Sequence, residues 1–200
     1  MKEALLTTLR DKNTKLDAFR AASRKLSSML AAEVAATIKQ KDVSIQTTLS
    51  KANGFEIAQD VVLVPILRSG IALLPSFMYF FDNARVGFLG MRRDEKTALP
   101  TMYYENLPSF HEDEWVLLLD PMVATGGSSK EAIKMVKDKG AKEENILLIG
   151  IVAAPEGIQQ IKKEYPQVKV HVVSIDDKLN DEKFIVPGLG DFGDRFFGTR

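Results

Sequence analysis

The chain has no cysteine among its 200 residues. That excludes disulfide scaffolds, thiol nucleophiles and cysteine-ligated zinc or iron–sulfur centres. Net charge is also missing, because 27 Lys and Arg balance 27 Asp and Glu. Such a balance does not fit a protein that coats nucleic acid or an anionic membrane. Long apolar runs are absent as well. The longest uncharged stretch of note, residues 69–81, is interrupted by Pro75 and falls short of the roughly 20 apolar residues of a membrane-spanning helix. The N-terminus lacks the apolar segment of a secretory signal, and the four acids in residues 1–41 do not fit a mitochondrial presequence. The expected setting is cytoplasmic, with neither membrane nor nucleic acid as partner. The two histidines, His111 and His171, have no metal-ligating or nucleophilic companion close by in sequence. Both are read as structural, and Trp115 as core.

What is present reads as a globular chain, 45% hydrophobic and 27% charged. Its length suits a single domain over residues 1–200, with residues 1–41 as a helical arm. Leu16, Phe19, Ser23, Leu26, Leu30, Val34 and Ile38 recur three or four apart, so residues 14–38 are expected to be an amphipathic helix capped by Asn13 or Thr14. Lys15, Arg20, Arg24 and Lys25 lie on its other face. Residues 43–49 alternate with a period of two, and Asn53-Gly54 marks a tight turn. A hairpin returning through residues 54–57 is therefore expected.

Beyond Asp60 the pattern changes. Short apolar runs at 61–67, 85–89, 115–119, 145–152 and 168–174 alternate with helix-length amphipathic segments at 70–81, 128–139 and 156–165. Continuous apolar strands joined by helical crossovers form a mostly parallel sheet covered on both faces. The expected fold class is α/β: a mostly parallel sheet flanked by helices, with the helical arm and the hairpin at the N-terminus. In such sheets ligands bind at the carboxyl ends of the strands. Attention therefore falls on the loops after Leu67, Leu89, Leu119 and Val173.

The sharpest of these is VLLLDPMVATGGSS, residues 116–129. An apolar strand ends at Asp120, and Thr125-Gly126-Gly127-Ser128 leads into a helix. Two glycines let successive N–H groups point into one concavity, and a helix N-terminus there favours an anion. A phosphate fits that cradle, with hydroxyls from Thr125 and Ser128. Asp120 repels a phosphate but suits a vicinal diol. The pattern is neither a Walker loop nor Gly-x-Gly-x-x-Gly.

This segment resembles the phosphoribosyl-pyrophosphate-binding motif of the type I phosphoribosyltransferases. Pro121, where most of that family carries a second acid, is characteristic of the uracil phosphoribosyltransferase branch. Three further segments resemble the same branch, in the same order. VPILRSG, residues 64–70, is similar to its pyrophosphate loop, and there Arg68 offers a guanidinium fork to a dianionic oxygen pair. GMRRDEKTALPTMYYENL, residues 90–107, is similar to its flexible loop, with Arg93 matching the arginine that reaches the diphosphate and Tyr103 an aromatic position. Arg92 stands where some relatives have Tyr. FIVPGLGDFGDRFFGT, residues 184–199, is similar to its base-binding loop. Ala153-Ala154-Pro155-Glu156-Gly157 matches a strand-to-helix corner and is read as structural.

The resemblance implies transfer of a 5-phosphoribosyl group from 5-phospho-α-D-ribose 1-diphosphate (PRPP) to uracil. Its products are uridine monophosphate (UMP) and pyrophosphate. It implies PRPP binding by Arg68, Arg93, Asp120, Pro121, Met122, Val123, Ala124, Thr125, Gly126, Gly127, Ser128 and Asp191. Arg68, Arg93 and Asp120 are the implied catalytic residues. Uracil falls to Ile185, Gly190, Asp191 and Phe192, read mainly by main-chain groups. Mg2+ is the implied cofactor, approached by Asp191 through PRPP or water. A GTP effector and assembly as a homodimer or homotetramer are left open. So are two other readings: a PRPP-sensing, RNA-binding regulator, and an enzyme of the same fold acting on another base.

Overall fold

The computed structural model describes residues 1–93 and 100–199, with the side chains of Arg93 and Pro100 left out. Helices α1 (Lys2–Arg10) and α2 (Leu16–Thr37) lead into an antiparallel hairpin, β1 (Gln40–Gln46) and β2 (Lys51–Ile57). The central sheet begins with β3 (Val61–Leu67). A 3-10 turn and α3 (Leu74–Phe80) follow, then β4 (Arg85–Val86), β5 (Phe88–Arg93) and β6 (Pro100–Asn106). Next come β7 (Trp115–Leu119), β8 (Met122–Val123), α4 (Gly127–Asp138), β9 (Ile146–Ala153), α5 (Pro155–Glu164) and β10 (Lys169–Ile175). A small ladder of β11 (Lys178–Leu179) and β12 (Ile185–Val186) precedes α6 (Phe192–Phe197). The main strand order is β10-β9-β7-β3-β5-β6, parallel throughout except where β6 returns beside β5.

The middle strands are apolar on both sides because both sides are covered. Val61 and Leu63 of β3, Leu117 and Leu119 of β7, and Leu147 and Ile149 of β9 pack with Leu26, Leu30, Phe77 and Phe192. Their neighbours Val62, Val64, Val116, Leu118, Ile146 and Leu148 pack against Ala132, Ile133 and Val136 of α4 and Ile161 of α5. The mostly parallel α/β fold is therefore as expected.

Three local expectations are corrected. Residues 1–41, expected as a helical arm, are helical over Lys2–Arg10 and Leu16–Thr37 and pack into the core of the domain. Leu6 and Leu9 of α1 and Phe19, Leu26, Leu30 and Val34 of α2 belong to the same core as the sheet, so the two helices are one of its covering layers. The α2 stripe is as expected, but its N-cap is Lys15, without a side-chain cap. Thr14 instead donates its hydroxyl to Thr8 O at 2.7 Å, fastening the α1–α2 turn.

The hairpin exists, but Asn53-Gly54 is not its turn. Val43 lies opposite Gly54 and Ser44 opposite Asn53 in mid-ladder. The chain reverses at residues 47–50, where Thr47 Oγ1 accepts from Leu49 N (3.2 Å) and Ser50 N (3.0 Å). A side-chain hydroxyl thus stabilises the turn that the glycine was expected to make. Finally, residues 90–107 are not a plain loop. β5 and β6 pair antiparallel from Phe88–Asn106 to Arg93–Pro100, since the β-branched and aromatic residues Thr101, Tyr103 and Tyr104 suit a ladder.

The expectation that His171 is structural fits its position: its Nε2 lies 3.1 Å from Glu33 Oε2, joining β10 to α2. Because Leu26 is fully buried between α2 and the sheet, Leu26→Ala should cost about 2–5 kcal/mol of unfolding free energy. Urea denaturation measures this. A loss below about 0.5 kcal/mol, the usual effect at an exposed site, would contradict the packing of α2 into the core.

Candidate functional site

The carboxyl ends of β3 and β7 meet at a cavity of about 750 Å³. At the end of β3 the Leu67–Arg68 peptide is cis and leads into the 3-10 turn Ser69–Ala72. A Cβ at Gly70 would fall 2.3 Å from Leu119 O. Only glycine therefore allows the turn after β3 to lie against the end of β7. Arg68 is half exposed and directs Nη2 to Asp194 Oδ1 at 3.2 Å, with its guanidinium 5.8 Å from the Phe197 ring centroid.

After β7 the chain passes Asp120, makes the two-residue strand β8 and turns at Gly126 into α4. Gly126 has φ +79°, the left-handed region, and begins the helix in place of a side-chain cap. Residues 124–129 all line the cavity. The first-turn N–H groups of a 12-residue helix have no partner within the helix and carry its positive end. Together these groups face one cavity, the arrangement that an anion cradle needs. The backing for this loop is Gly157 of α5, where a Cβ would stand 2.3 Å from Ala124 O. The corner 153–157 is thus structural, as expected, and it sets the position of the cradle.

Asp120 is partly accessible on the cavity wall and accepts from Met122 N at 3.3 Å. Burial pushes its carboxyl up to about 7, and that one backbone hydrogen bond opposes the shift only in part. Near neutrality this group therefore switches between donating and accepting hydrogen bonds.

Ile185, Gly190, Asp191 and Phe192 line the same cavity. Gly188 and Gly190 have φ +60° and +77°, and the Val186–Pro187 peptide is cis. The Phe192 ring is 1% exposed, 5.4 Å from the Phe19 ring and stacked on Phe196. Its side chain is therefore an anchor. Asp191 caps α6 by accepting from Asp194 N at 2.8 Å. Met91, Arg92 and Tyr103 bring the β5–β6 hairpin to the rim.

Two residues expected at the site do not line the cavity. Pro121 is buried and its carbonyl accepts from Ile151 and Val152 of β9. Val123 is 1% exposed in the core and its carbonyl accepts from Ala154 N. Pairing of β8 with β9 turns both away, leaving Met122 on the cavity side. The expectations for the side chain of Arg93 and for residues 94–99 lie outside the described residues. Conversely, Ser69, Lys183, Phe184 and Asp194 line the cavity without having been anticipated. Asp194 carried a signal, since it follows Asp191 by the three residues typical of a helix-capping pair.

Comparison with known proteins identifies a family and a shared fold. The family model described as uracil phosphoribosyltransferase matches residues 1–199. A curated Bacillus cereus protein named uracil phosphoribosyltransferase is 44% identical over 196 residues, covering 98% of this chain and 93% of its own. A Bacillus anthracis protein of the same name matches to the same extent. Among solved structures, an Aquifex aeolicus protein superposes with a TM-score of 0.90 at 32% identity, covering 98% of this chain and 93% of that one. A Trypanosoma cruzi hypoxanthine phosphoribosyltransferase, at 14% identity and a TM-score of 0.51 over 80% of this chain and 79% of that one, shares the fold.

A carboxyl whose pKa is raised on folding disfavours the folded state above its unfolded value. The penalty is absent below about pH 4 and complete above about pH 7. Asp120→Asn should accordingly raise the melting temperature at pH 8, and the gain should shrink towards zero as the pH falls to 4. Calorimetric scans across that range check it. A gain that is the same at every pH would contradict the raised carboxyl.

Proposed function

The chain belongs to the uracil phosphoribosyltransferase family, and on that premise we propose that it transfers the 5-phosphoribosyl group of PRPP to N1 of uracil. The C1′–O bond to pyrophosphate breaks, the C1′–N1 bond forms with inversion, and the N1 proton passes to the departing pyrophosphate or to water. The carrying observation is convergence: the loops after β3 and β7, the β5–β6 hairpin and the 183–194 segment all line one cavity at the carboxyl edge of the sheet.

In this reading the 124–128 cradle takes the 5′-phosphate and Asp120 the ribose diol, so that C1′ is aligned for attack. Arg68 and Arg93 neutralise charge growing on the leaving pyrophosphate. Main-chain groups of Ile185 and Gly190 take the acceptor–donor–acceptor edge of uracil. Cytosine would leave them unpaired, a heavy penalty in a buried site. No side chain is assigned as general base; main-chain contacts to the two carbonyl oxygens favour the N1 anion.

Magnesium is part of the proposal. Among the described residues no cluster of three or more His, Asp or Glu is placed to cage a metal. The cavity does offer the separate carboxylates Asp120 and Asp191, which fits an ion held largely by substrate phosphates and water. Asp191 would approach it through PRPP or water, and it would supply positive charge beside the diphosphate. Assembly as a homodimer or homotetramer is likewise proposed, supported by Ile45, Leu49, Phe55 and Ile57 exposed on the β1–β2 hairpin.

The regulator reading lacks a comparable observation. One of the three cations of α2, Arg20, is occupied by the carbonyls of Phe196 and Phe197. An assay of uracil against cytosine, hypoxanthine and orotate, with PRPP and magnesium and with or without GTP, should yield nucleotide from uracil alone. Turnover of hypoxanthine or orotate in its place would overturn the assignment. Asp120→Asn should raise the KM for PRPP, and Arg93→Ala should lower kcat by about 100–1,000-fold with an unchanged melting temperature. A large fall in melting temperature would instead make Arg93 structural.

A further inference from the structure

The segment between Ile185 and Gly190 would read its ligand through main-chain groups, and these adapt little once the backbone is fixed. A Cβ at Gly188 would lie 2.1 Å from Ile185 O, so the turn is tight. Its hydrogen-bond partners come from far away in sequence. Asp176, its side chain 1% exposed, accepts from Gly188 N at 2.8 Å through Oδ2. Arg10, the last residue of α1, donates to Gly188 O at 2.8 Å. Both polar main-chain groups of Gly188 are thus held by one ion pair, which is itself a fork: Arg10 Nη1 to Asp176 Oδ2 at 2.7 Å and Nη2 to Oδ1 at 2.6 Å. Ser174 completes it, donating to Asp176 Oδ1 at 3.0 Å and accepting from Arg10 Nη2 at 3.2 Å. One residue on, Arg195 Nη1 donates to Leu189 O at 2.7 Å and also to Leu9 O, tying that carbonyl to the end of α1.

We propose that Arg10 and Asp176 are positioning residues for base recognition, setting the main chain of residues 185–190 to the width and angle of the pyrimidine edge. This rests on the reading of that segment as the base site. Fork-to-fork pairing of a guanidinium with a buried carboxylate fixes direction as well as distance. Productive recognition tolerates only about half an ångström of displacement. Neither residue lines the cavity or bonds to the 120–129 loop. Loosening the pair should therefore act on the base and not on PRPP.

The test measures both Michaelis constants in Arg10→Lys, which keeps the charge but loses the fork, and in Asp176→Asn. Each should raise the KM for uracil about tenfold, as expected for loss of a charge-assisted hydrogen bond, while the KM for PRPP stays within about twofold. Ser174→Ala, which removes one hydroxyl, should raise it about threefold on the same grounds. A parallel rise in both constants, or an unchanged uracil KM in a folded variant, overturns the proposal. Should the two charge variants fail to fold, the ratio in Ser174→Ala decides. If the wild-type chain used another base, the substrate reading would fail, and the KM ratio for that base would still test the positioning role.

Discussion

Main chain packs directly against main chain around the carboxyl end of β7, and the rest of the site depends on that contact. A Cβ at Gly70 would strike Leu119 O, one at Gly150 would approach Asp120 O to 2.8 Å, and one at Gly157 would strike Ala124 O. Three segments, the turn after β3, the middle of β9 and the first turn of α5, thus touch the last residue of β7 or the loop after it with no side chain between them. Closely packed interiors do not yield gradually to added atoms. Adding a methyl group at these contacts must shift a backbone, and with it the cradle at 124–128.

The electrostatics follow from this arrangement. Main-chain N–H groups at the start of α4 supply positive potential without a buried cation. Asp120 sits beside them with a raised pKa, so the wall changes its hydrogen-bonding character near neutral pH. Arg68 is held on the opposite side by Asp194, whose Oδ1 also accepts from Thr199 Oγ1 at 2.6 Å. An arriving diphosphate therefore competes with an exposed ion pair, a weak competitor. In this way α6 reports to the same cavity as the turn after β3.

Much of this was legible in the sequence where one physical signal dominated. The apolar runs of β3, β7 and β9 read as buried parallel strands, and the Asp120 to Ser128 spacing read as a strand, turn and helix. Legibility failed where two signals competed. Asn53-Gly54 is a strong turn pair, yet it lies inside a ladder because the Thr47 hydroxyl closes the reversal first. Residues 90–107 are charged enough to read as a loop, but cross-strand pairing organises their ends. Pro121 and Val123 belong to the right motif but face β9, since alternation along β8 leaves Met122 alone on the cavity side. The link between Arg10 and Gly188 spans 178 residues, a separation across which local pattern carries no information.

The central claim is that one cavity holds the sugar phosphate and the pyrimidine side by side. A crystal structure of the chain with UMP tests it most directly. The account places the phosphate on the N–H groups of residues 124–128, the ribose hydroxyls at Asp120, and the uracil edge against the main chain of Ile185 and Gly190. A nucleotide bound with its phosphate away from that cradle, or with its base turned towards the β5–β6 hairpin, would contradict it.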